Sequence, residues 1–91
     1  MPQKEVTITN KLGIHARPAA QFVKLAHTFP SDVRVTKEDY EVDGKSIMGL
    51  MTLAAGHGSK ILIETDGERA DEALEALADL VERDFADASV A

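Results

Sequence analysis

The apolar residues of this chain repeat at two spacings, and the order in which the two spacings follow one another constrains the fold most strongly. Four short segments alternate apolar with polar residues, which is typical of strands with one buried face. The segments are residues 3–9, 33–35, 40–42 and 61–63. Their apolar positions are Val6 and Ile8, Val33 and Val35, Tyr40 and Val42, and Ile61 and Ile63. The sequence therefore predicts four strands, with the second and third joined as a hairpin.

Three further segments repeat their apolar residues every three to four positions, as helices do. The first runs from residue 16 to about residue 27, with its apolar stripe at Ala19, Phe22, Val23 and Ala26. The second covers residues 47–53 with Ser46 as its N-cap. The third follows residues 66–67. Its apolar stripe consists of Ala70, Ala73, Leu74, Leu77, Leu80, Val81 and Phe85. The resulting order, βαββαβα, predicts a two-layer α+β sandwich of sheet and helices.

Length, charge and cysteine content exclude several classes of protein. A chain of 91 residues is expected to form one domain over residues 1–91. The net charge is −6, and residues 66–91 carry nine acidic against two basic side chains, which disfavours nucleic-acid binding. The absence of cysteine excludes a disulfide scaffold, a thiol nucleophile and a cysteine-based zinc site. The sequence begins without the apolar run of a signal peptide and has no membrane-spanning stretch, so we expect a cytoplasmic protein without membrane insertion.

The three histidines differ in what surrounds them. No histidine has a second histidine or a carboxylate at a metal-ligand spacing, so we expect no metal and no cofactor. His27, near the end of the first helix, and His57, between two glycines, are expected to be solvated. His15 directly precedes a helix with Pro18 in its first turn, where free N–H groups favour an anion. Arg17 adds a planar fork suited to phosphate oxygens.

This histidine allows two interpretations. It is an ordinary residue at the start of a helix, or it accepts a phosphoryl group on a ring nitrogen, with the N–H groups and Arg17 holding the new charge. The pattern of His15, Arg17 and Pro18 alone does not decide between them.

Two motifs together resemble one protein family. Residues 14–19 read IHARPA, and residues 45–51 read KSIMGLM. Both motifs, at this separation, resemble the histidine-containing phosphocarrier (HPr) family of the bacterial phosphoenolpyruvate-dependent phosphotransferase system. The resemblance extends from residue 5 to about residue 85. It implies an open-faced sandwich in which three helices cover one side of a four-stranded antiparallel sheet of order 1-4-2-3.

The resemblance also implies the roles of three residues. His15 matches the histidine that carries the phosphoryl group on Nδ1, Arg17 matches the arginine that assists transfer, and Ser46 matches a serine that a dedicated kinase phosphorylates in some bacteria. The implied partners are Enzyme I as donor, EIIA-type domains as acceptors, and an HPr kinase/phosphorylase and transcriptional regulators. We expect a monomeric relay protein that is not itself an enzyme.

Two positions depart from the family pattern, Leu12 in place of a small polar residue and Asp39 in place of a turn glycine.

Three apolar residues of the second predicted helix also allow two interpretations. Ile47, Met48 and Met51 are either core residues or, if exposed beside His15, an adaptable apolar docking patch. The resemblance favours docking. The expected docking residues are Ala20, Gln21, Lys24, Ile47, Met48 and Met51.

Two other functions compete with that of a phosphocarrier. One is a regulatory protein that acts through binding by the Ser46 helix, and the other is a generic ligand-binding βα module. The presence of both His15 and Arg17 argues against regulation as the only role, and the generic module explains neither motif. Whether the carbohydrate or the nitrogen branch of the system is served stays open.

Overall fold

The computed structural model describes residues 2–9, 13–53 and 55–85, so Leu12 lies outside the described residues. The elements occur in the expected order. They are β1 (Gln3–Thr7), α1 (Ala16–Ala26), β2 (Asp32–Lys37), β3 (Tyr40–Asp43), α2 (Ile47–Thr52), β4 (Lys60–Asp66) and α3 (Ala70–Glu82). Across these described ranges, no helix has the length and apolar character needed to cross a membrane.

The four strands form one antiparallel sheet of order β1-β4-β2-β3, as expected. The register places apolar residues opposite one another. Val6 lies opposite Ile61, and Val35 lies between Ile63 on β4 and Val42 on β3. Because successive side chains of a strand point to opposite faces, this register gives the sheet one continuous apolar face.

The helices bury this apolar face and leave the other face uncovered. The predicted stripe of α1, which is Ala19, Phe22, Val23 and Ala26, is buried and forms one core cluster with the inward residues of the strands. α3 packs against β1, β4 and α1, and α2 packs against α1 and β3. Thr7 and Arg34, on the opposite face of the sheet, are exposed. The open-faced α+β sandwich is confirmed.

All four strands differ in length from the predicted segments. β2 (Asp32–Lys37) and β3 (Tyr40–Asp43) extend beyond residues 33–35 and 40–42. β1 ends at Thr7 rather than residue 9, because Ile8 bonds to the loop before β4 instead of to a strand. The Ile8 N–H donates to the Ser59 carbonyl at 2.8 Å, and the Gly58 N–H donates to the Ile8 carbonyl at 2.7 Å. β4 continues beyond residue 63 to Asp66, because residues 64–66 pair with residues 32–34 of β2. The hydroxyl of the fully buried Thr65 donates to the Ala70 carbonyl at 2.7 Å.

The end of α3 also differs from the prediction. The helix stops at Glu82, and Phe85 is buried without being part of it. The Phe85 N–H donates to the Leu80 carbonyl at 2.8 Å, and the Asp84 N–H donates to the Val81 carbonyl at 3.0 Å. This pair of bonds is a Schellman motif, in which the chain reverses through a left-handed residue and an apolar residue folds back onto the helix. Asp84, with φ of 58°, occupies the left-handed position that glycine usually fills, so the sequence carried no stop signal.

In the β2–β3 turn, the left-handed residue lies one position before Asp39, which corresponds to the turn glycine of the family pattern. Glu38 has φ of 57°, whereas Asp39 is not among the described residues with positive φ. The turn therefore does not require glycine at Asp39.

Candidate functional site

His15 is the N-cap of α1, directly before the first helical turn, as the sequence predicts. Its backbone is extended, with φ of −108° and ψ of −164°, and its carbonyl accepts the first helical bond from the Ala19 N–H at 2.9 Å. The side chain is half-buried and makes no capping hydrogen bond. Among the described residues, neither ring nitrogen has a hydrogen-bond partner.

Two backbone hydrogen bonds, from the N–H groups of Ile14 and His15, hold the backbone that leads to His15. The His15 N–H donates to the Gly13 carbonyl at 3.2 Å, which closes a three-residue γ-turn. The Ile14 N–H donates to the Ala55 carbonyl at 2.9 Å, in the loop after α2. Because the Ile14 side chain is also buried, the segment before His15 is fixed against the core.

The first turn of α1 presents donors and positive charge. Within the part of the chain that the structure describes, the N–H groups of Ala16 and Arg17 have no hydrogen-bond acceptor, and Pro18 has no N–H. This turn contains no acidic residue, and the exposed Arg17 forms no ion pair with any described side chain. These donors, the helix dipole and a free guanidinium suit an anion beside the His15 ring.

The exposed residues of α1 continue from Arg17 along one side of the helix. Beyond the exposed Ala16, these are Arg17, Ala20 and Lys24, and the half-buried Gln21 lies among them. Their spacing of three, one and three residues places them on a single face. The face carries two positive charges and no acidic side chain.

α2 separates its core residues from a second exposed surface. Leu50 and Leu53 are buried, whereas Ile47, Met48 and Met51 are 41%, 73% and 41% exposed. Their exposure contradicts the interpretation of these three residues as core. α2 packs against α1, the helix that His15 precedes, so the two exposed surfaces lie on neighbouring helices. We call six surface residues of the two helices the docking patch, after the role that the sequence predicts for them: Ala20, the half-buried Gln21, Lys24, Ile47, Met48 and Met51.

Ser46 is the N-cap of α2, as predicted. Its hydroxyl oxygen accepts from the Gly49 N–H at 3.0 Å, and its carbonyl accepts from the Leu50 N–H at 3.0 Å. The residue is half-buried and next to Ile47. The cap satisfies a donor that the first turn of a helix otherwise leaves unpaired.

Three groups that support the site were not predicted from the sequence. The Ala55 carbonyl holds Ile14, the Lys45 ammonium donates to the Phe29 carbonyl at 2.9 Å, and the Lys37 ammonium donates to the Leu53 carbonyl at 3.4 Å. The two lysines tie the ends of α2 to the rest of the fold. Lys45 lies within the second motif, but the other two contacts join segments distant in the sequence and leave no local pattern.

The remaining histidines and the acidic residues of α3 lie at positions other than the two helix N-termini that His15 and Ser46 occupy. His27 is the C-cap of α1 and His57 lies in the loop before β4, and both are exposed. The exposed acidic residues of α3 are Asp71, Glu72, Glu75, Asp79 and Glu82. Among residues 2–9, 13–53 and 55–85, no group of three or more histidine or acidic side chains is placed to hold a metal ion. The chain therefore combines a basic and apolar surface on α1 and α2 with an acidic surface on α3.

Comparisons with known proteins agree on one family. The family model described as the PTS HPr component phosphorylation site matches residues 2–83. The chain is 52% identical to the phosphocarrier protein HPr of Pseudomonas aeruginosa over 86 residues, which cover 93% of this chain and 96% of that protein.

Solved structures give the same result. The crystal structure of HPr from Thermoanaerobacter tengcongensis superposes with a TM-score of 0.90 at 42% identity, covering 93% of this chain and 96% of that one. A Crh protein of Bacillus subtilis that forms a domain-swapped dimer superposes with a TM-score of 0.75 at 45% identity, covering 92% and 97% of the two chains.

Proposed function

The chain belongs to the HPr family and has the phosphocarrier role of that family in the phosphotransferase system, and from this premise we propose that His15 is the residue that carries the phosphoryl group. Phosphorylated Enzyme I is the proposed donor, and an EIIA-type domain is the proposed acceptor. The observation that carries the proposal is the half-buried His15 ring, without a hydrogen-bond partner among the described residues, at the N-terminus of α1.

The proposed transfer is a nucleophilic displacement at phosphorus. The lone pair of the neutral His15 Nδ1 attacks the phosphorus atom, a new P–N bond forms, and the bond from phosphorus to the donor breaks with its electron pair returning to the donor. The reverse displacement delivers the phosphoryl group to the next protein. Because positioning and charge stabilisation supply most of the catalysis of such transfers, the carrier needs donors near the moving oxygens rather than a substrate pocket.

Arg17 is the proposed partner of these oxygens. Its guanidinium is exposed and forms no ion pair with an acidic side chain among the described residues. Together with the Ala16 and Arg17 N–H groups, it stabilises the charge that the phosphoryl group brings to the helix N-terminus.

We expect Arg17→Lys to slow phosphoryl acceptance by about tenfold, since a charge-assisted hydrogen bond contributes on the order of 1.5–3 kcal/mol and lysine lacks the planar fork. The melting temperature should not change, because Arg17 is exposed. The rate is measured with limiting Enzyme I and phosphoenolpyruvate. Arg34→Lys, the same substitution on the uncovered face of the sheet, serves as the control and should transfer at the wild-type rate. Equal rates of phosphoryl acceptance for Arg17→Lys and wild type would show that the Arg17 guanidinium takes no part in the transfer.

The docking patch is the proposed contact surface for Enzyme I and for the acceptor. Methionine side chains adapt to differently shaped partners, which suits a relay that must bind a donor and an acceptor in turn. Arg17 and Lys24 favour acidic partner surfaces, while the acidic face of α3 disfavours binding in other orientations. A monomer is the proposed working unit, because one chain carries both His15 and the patch.

Ser46 is the proposed regulatory site within this surface. Phosphate on its hydroxyl adds about −1.5 to −2 charge at pH 7, which the N-terminus of α2 tolerates. The same charge stands next to Ile47 and faces acidic partners, so phosphorylation should weaken docking rather than the fold.

The family also contains proteins named HPr-like protein Crh, one of them 45% identical to this chain, but the presence of His15 and Arg17 favours a carrier over a purely regulatory protein.

Two substitutions separate the capping role of Ser46 from the regulatory one. Ser46→Ala should lower the free energy of unfolding by about 0.5–2 kcal/mol, since it removes the bond to Gly49, and should still accept phosphate. Ser46→Asp keeps an N-cap oxygen and should be as stable as wild type but accept phosphate more slowly. Thr7→Asp adds the same charge on the uncovered sheet face and serves as the control. Thermal unfolding and transfer rates are measured for all three variants. A wild-type rate of phosphoryl acceptance by Ser46→Asp would show that Ser46 serves only as the N-cap of α2.

Incubation with phosphoenolpyruvate and Enzyme I tests the proposed carrier function as a whole. A phosphohistidine is labile in acid and stable in base, whereas a phosphoserine is stable in acid. We expect acid-labile, base-stable phosphate on the wild-type chain, and its complete absence would reject the proposal.

A further inference from the structure

Gly13 lies closer to a neighbouring backbone than any residue with a side chain could. Its φ is +70°, and a Cβ at this position would stand 2.3 Å from the Ala55 carbonyl oxygen and 2.6 Å from the Gly56 Cα. Both atoms belong to the main chain, so no rotation of a side chain would relieve the collision. Glycine is therefore favoured here by the left-handed conformation and required by the close approach of two chain segments.

The carbonyl that approaches Gly13 is also the one that fixes the next residue. The Ala55 oxygen accepts from the Ile14 N–H at 2.9 Å, and both Ile14 and Ala55 are buried, at 6% and 2% exposure. A Cβ on residue 13 would push this oxygen away and break the bond to Ile14. The displacement would occur one residue before His15, whose own N–H bonds to the Gly13 carbonyl.

We propose that Gly13 is a positioning residue for phosphoryl transfer: because it lacks a side chain, its backbone packs against the Ala55 carbonyl, and this contact fixes the segment that presents the His15 ring. The inference rests on the proposed role of His15 as phosphoryl acceptor. A misplacement of about 1 Å in a reacting group lowers a rate by as much as about 100-fold. The docking patch lies on other parts of α1 and α2, so its contacts with a partner should be preserved.

The sharpest test is Gly13→Asn, measured with Gly58→Asn as its control. Asparagine tolerates the left-handed conformation, so Gly13→Asn tests the collision of the added Cβ rather than the φ of residue 13. Gly58 also has positive φ, +87°, but a Cβ there would meet nothing within 4 Å. With this chain as the substrate of Enzyme I, we expect Gly13→Asn to lower kcat about 10- to 100-fold and to leave KM within about threefold of wild type. Gly58→Asn should change neither constant by more than about twofold.

A spectroscopic measurement keeps this test separate from that of the proposed function. The ring proton resonances of His15 should shift in Gly13→Asn and stay unchanged in Gly58→Asn, whether or not the protein is ever phosphorylated. If wild type accepts no phosphate, the proposed function fails, whereas the ring resonances still report on the position of His15. Unchanged resonances in Gly13→Asn would overturn the positioning role.

Three kinetic results would also overturn the inference. They are a wild-type kcat for Gly13→Asn, an equal loss of kcat in both glycine variants, and a loss that appears only as a raised KM. If Gly13→Asn is unfolded at the assay temperature, both variants are measured in trimethylamine N-oxide, which favours the folded state. The deficit in kcat should persist in the refolded protein, and its disappearance would show that Gly13 serves stability alone.

Discussion

The substitution His15→Ala is expected to abolish phosphoryl acceptance and to leave the fold intact. Alanine has no nucleophilic nitrogen, so no P–N bond can form at this position. The His15 side chain is half-buried and makes no capping hydrogen bond, so its removal should change the free energy of unfolding by no more than about 0.5 kcal/mol. Acid-labile phosphate is measured after incubation with Enzyme I and phosphoenolpyruvate, and thermal unfolding is measured on the same samples.

The other two histidines provide matched controls. His27 and His57 are exposed, and neither lies at the N-terminus of a helix. His27→Ala and His57→Ala should therefore accept phosphate at the wild-type rate and to the wild-type extent. Acid-labile phosphate retained on His15→Ala, or lost from either control, would assign the acceptor to a different residue.

The second large effect is expected from Met48→Glu. Met48 is 73% exposed, so a carboxylate there is solvated and the melting temperature should stay near that of wild type. In a complex, the same carboxylate would be buried in an apolar contact and would face acidic partner groups, which costs several kcal/mol. We expect the KM of Enzyme I for this chain to rise by at least about tenfold, which corresponds to about 1.4 kcal/mol.

Thr7→Glu is the control for this experiment. Thr7 is exposed on the uncovered face of the sheet, so the substitution adds the same charge away from the docking patch. Its KM should be close to that of wild type. A melting temperature that collapses in Met48→Glu would show that Met48 packs in the core, and a KM raised equally by both substitutions would show an effect of net charge alone.

The fold followed from the sequence wherever one local pattern decided the structure. The period-two segments became strands, the stripe of α1 is buried as predicted, and Ser46 caps α2. The errors occur where tertiary contacts outweigh local preference. Thr65 is polar yet fully buried in β4 because Ala70 supplies an acceptor, and Asp84 takes the position of a C-terminal glycine because Phe85 gains burial in the core.

The candidate site was predictable only in part, for a similar reason. The positions of His15 before α1 and of Ser46 before α2 follow from local signals, and the resemblance to the family supplied their roles. The exposure of Met48 depends instead on which face of α2 meets the core, and a helix of six residues carries too short a pattern to decide this. The contact between Gly13 and Ala55 joins segments that are distant in the sequence, so no single stretch of residues predicts it.

The structure also gives a physical reason why a carrier of this kind needs no pocket. The N–H groups at the start of α1 and the Arg17 guanidinium lie on the outside of the fold, where a partner can reach the His15 ring. The apolar part of the surface is supplied by a separate short helix whose cap is the proposed regulatory serine. In the proposed mechanism, reaction and docking depend on different residues, and we therefore expect substitutions to affect kcat and KM separately.

Nitrogen-15 NMR of the histidine rings, recorded before and after incubation with Enzyme I and phosphoenolpyruvate, tests the central claim most directly. The spectrum distinguishes the three histidines and the two nitrogens of each ring. We predict that the Nδ1 resonance of His15 changes to that of a phosphorylated nitrogen, while His27 and His57 keep their resonances. Phosphorylation at His15 Nε2, at another histidine, or at no histidine would contradict the assignment of His15 Nδ1 as the phosphoryl acceptor.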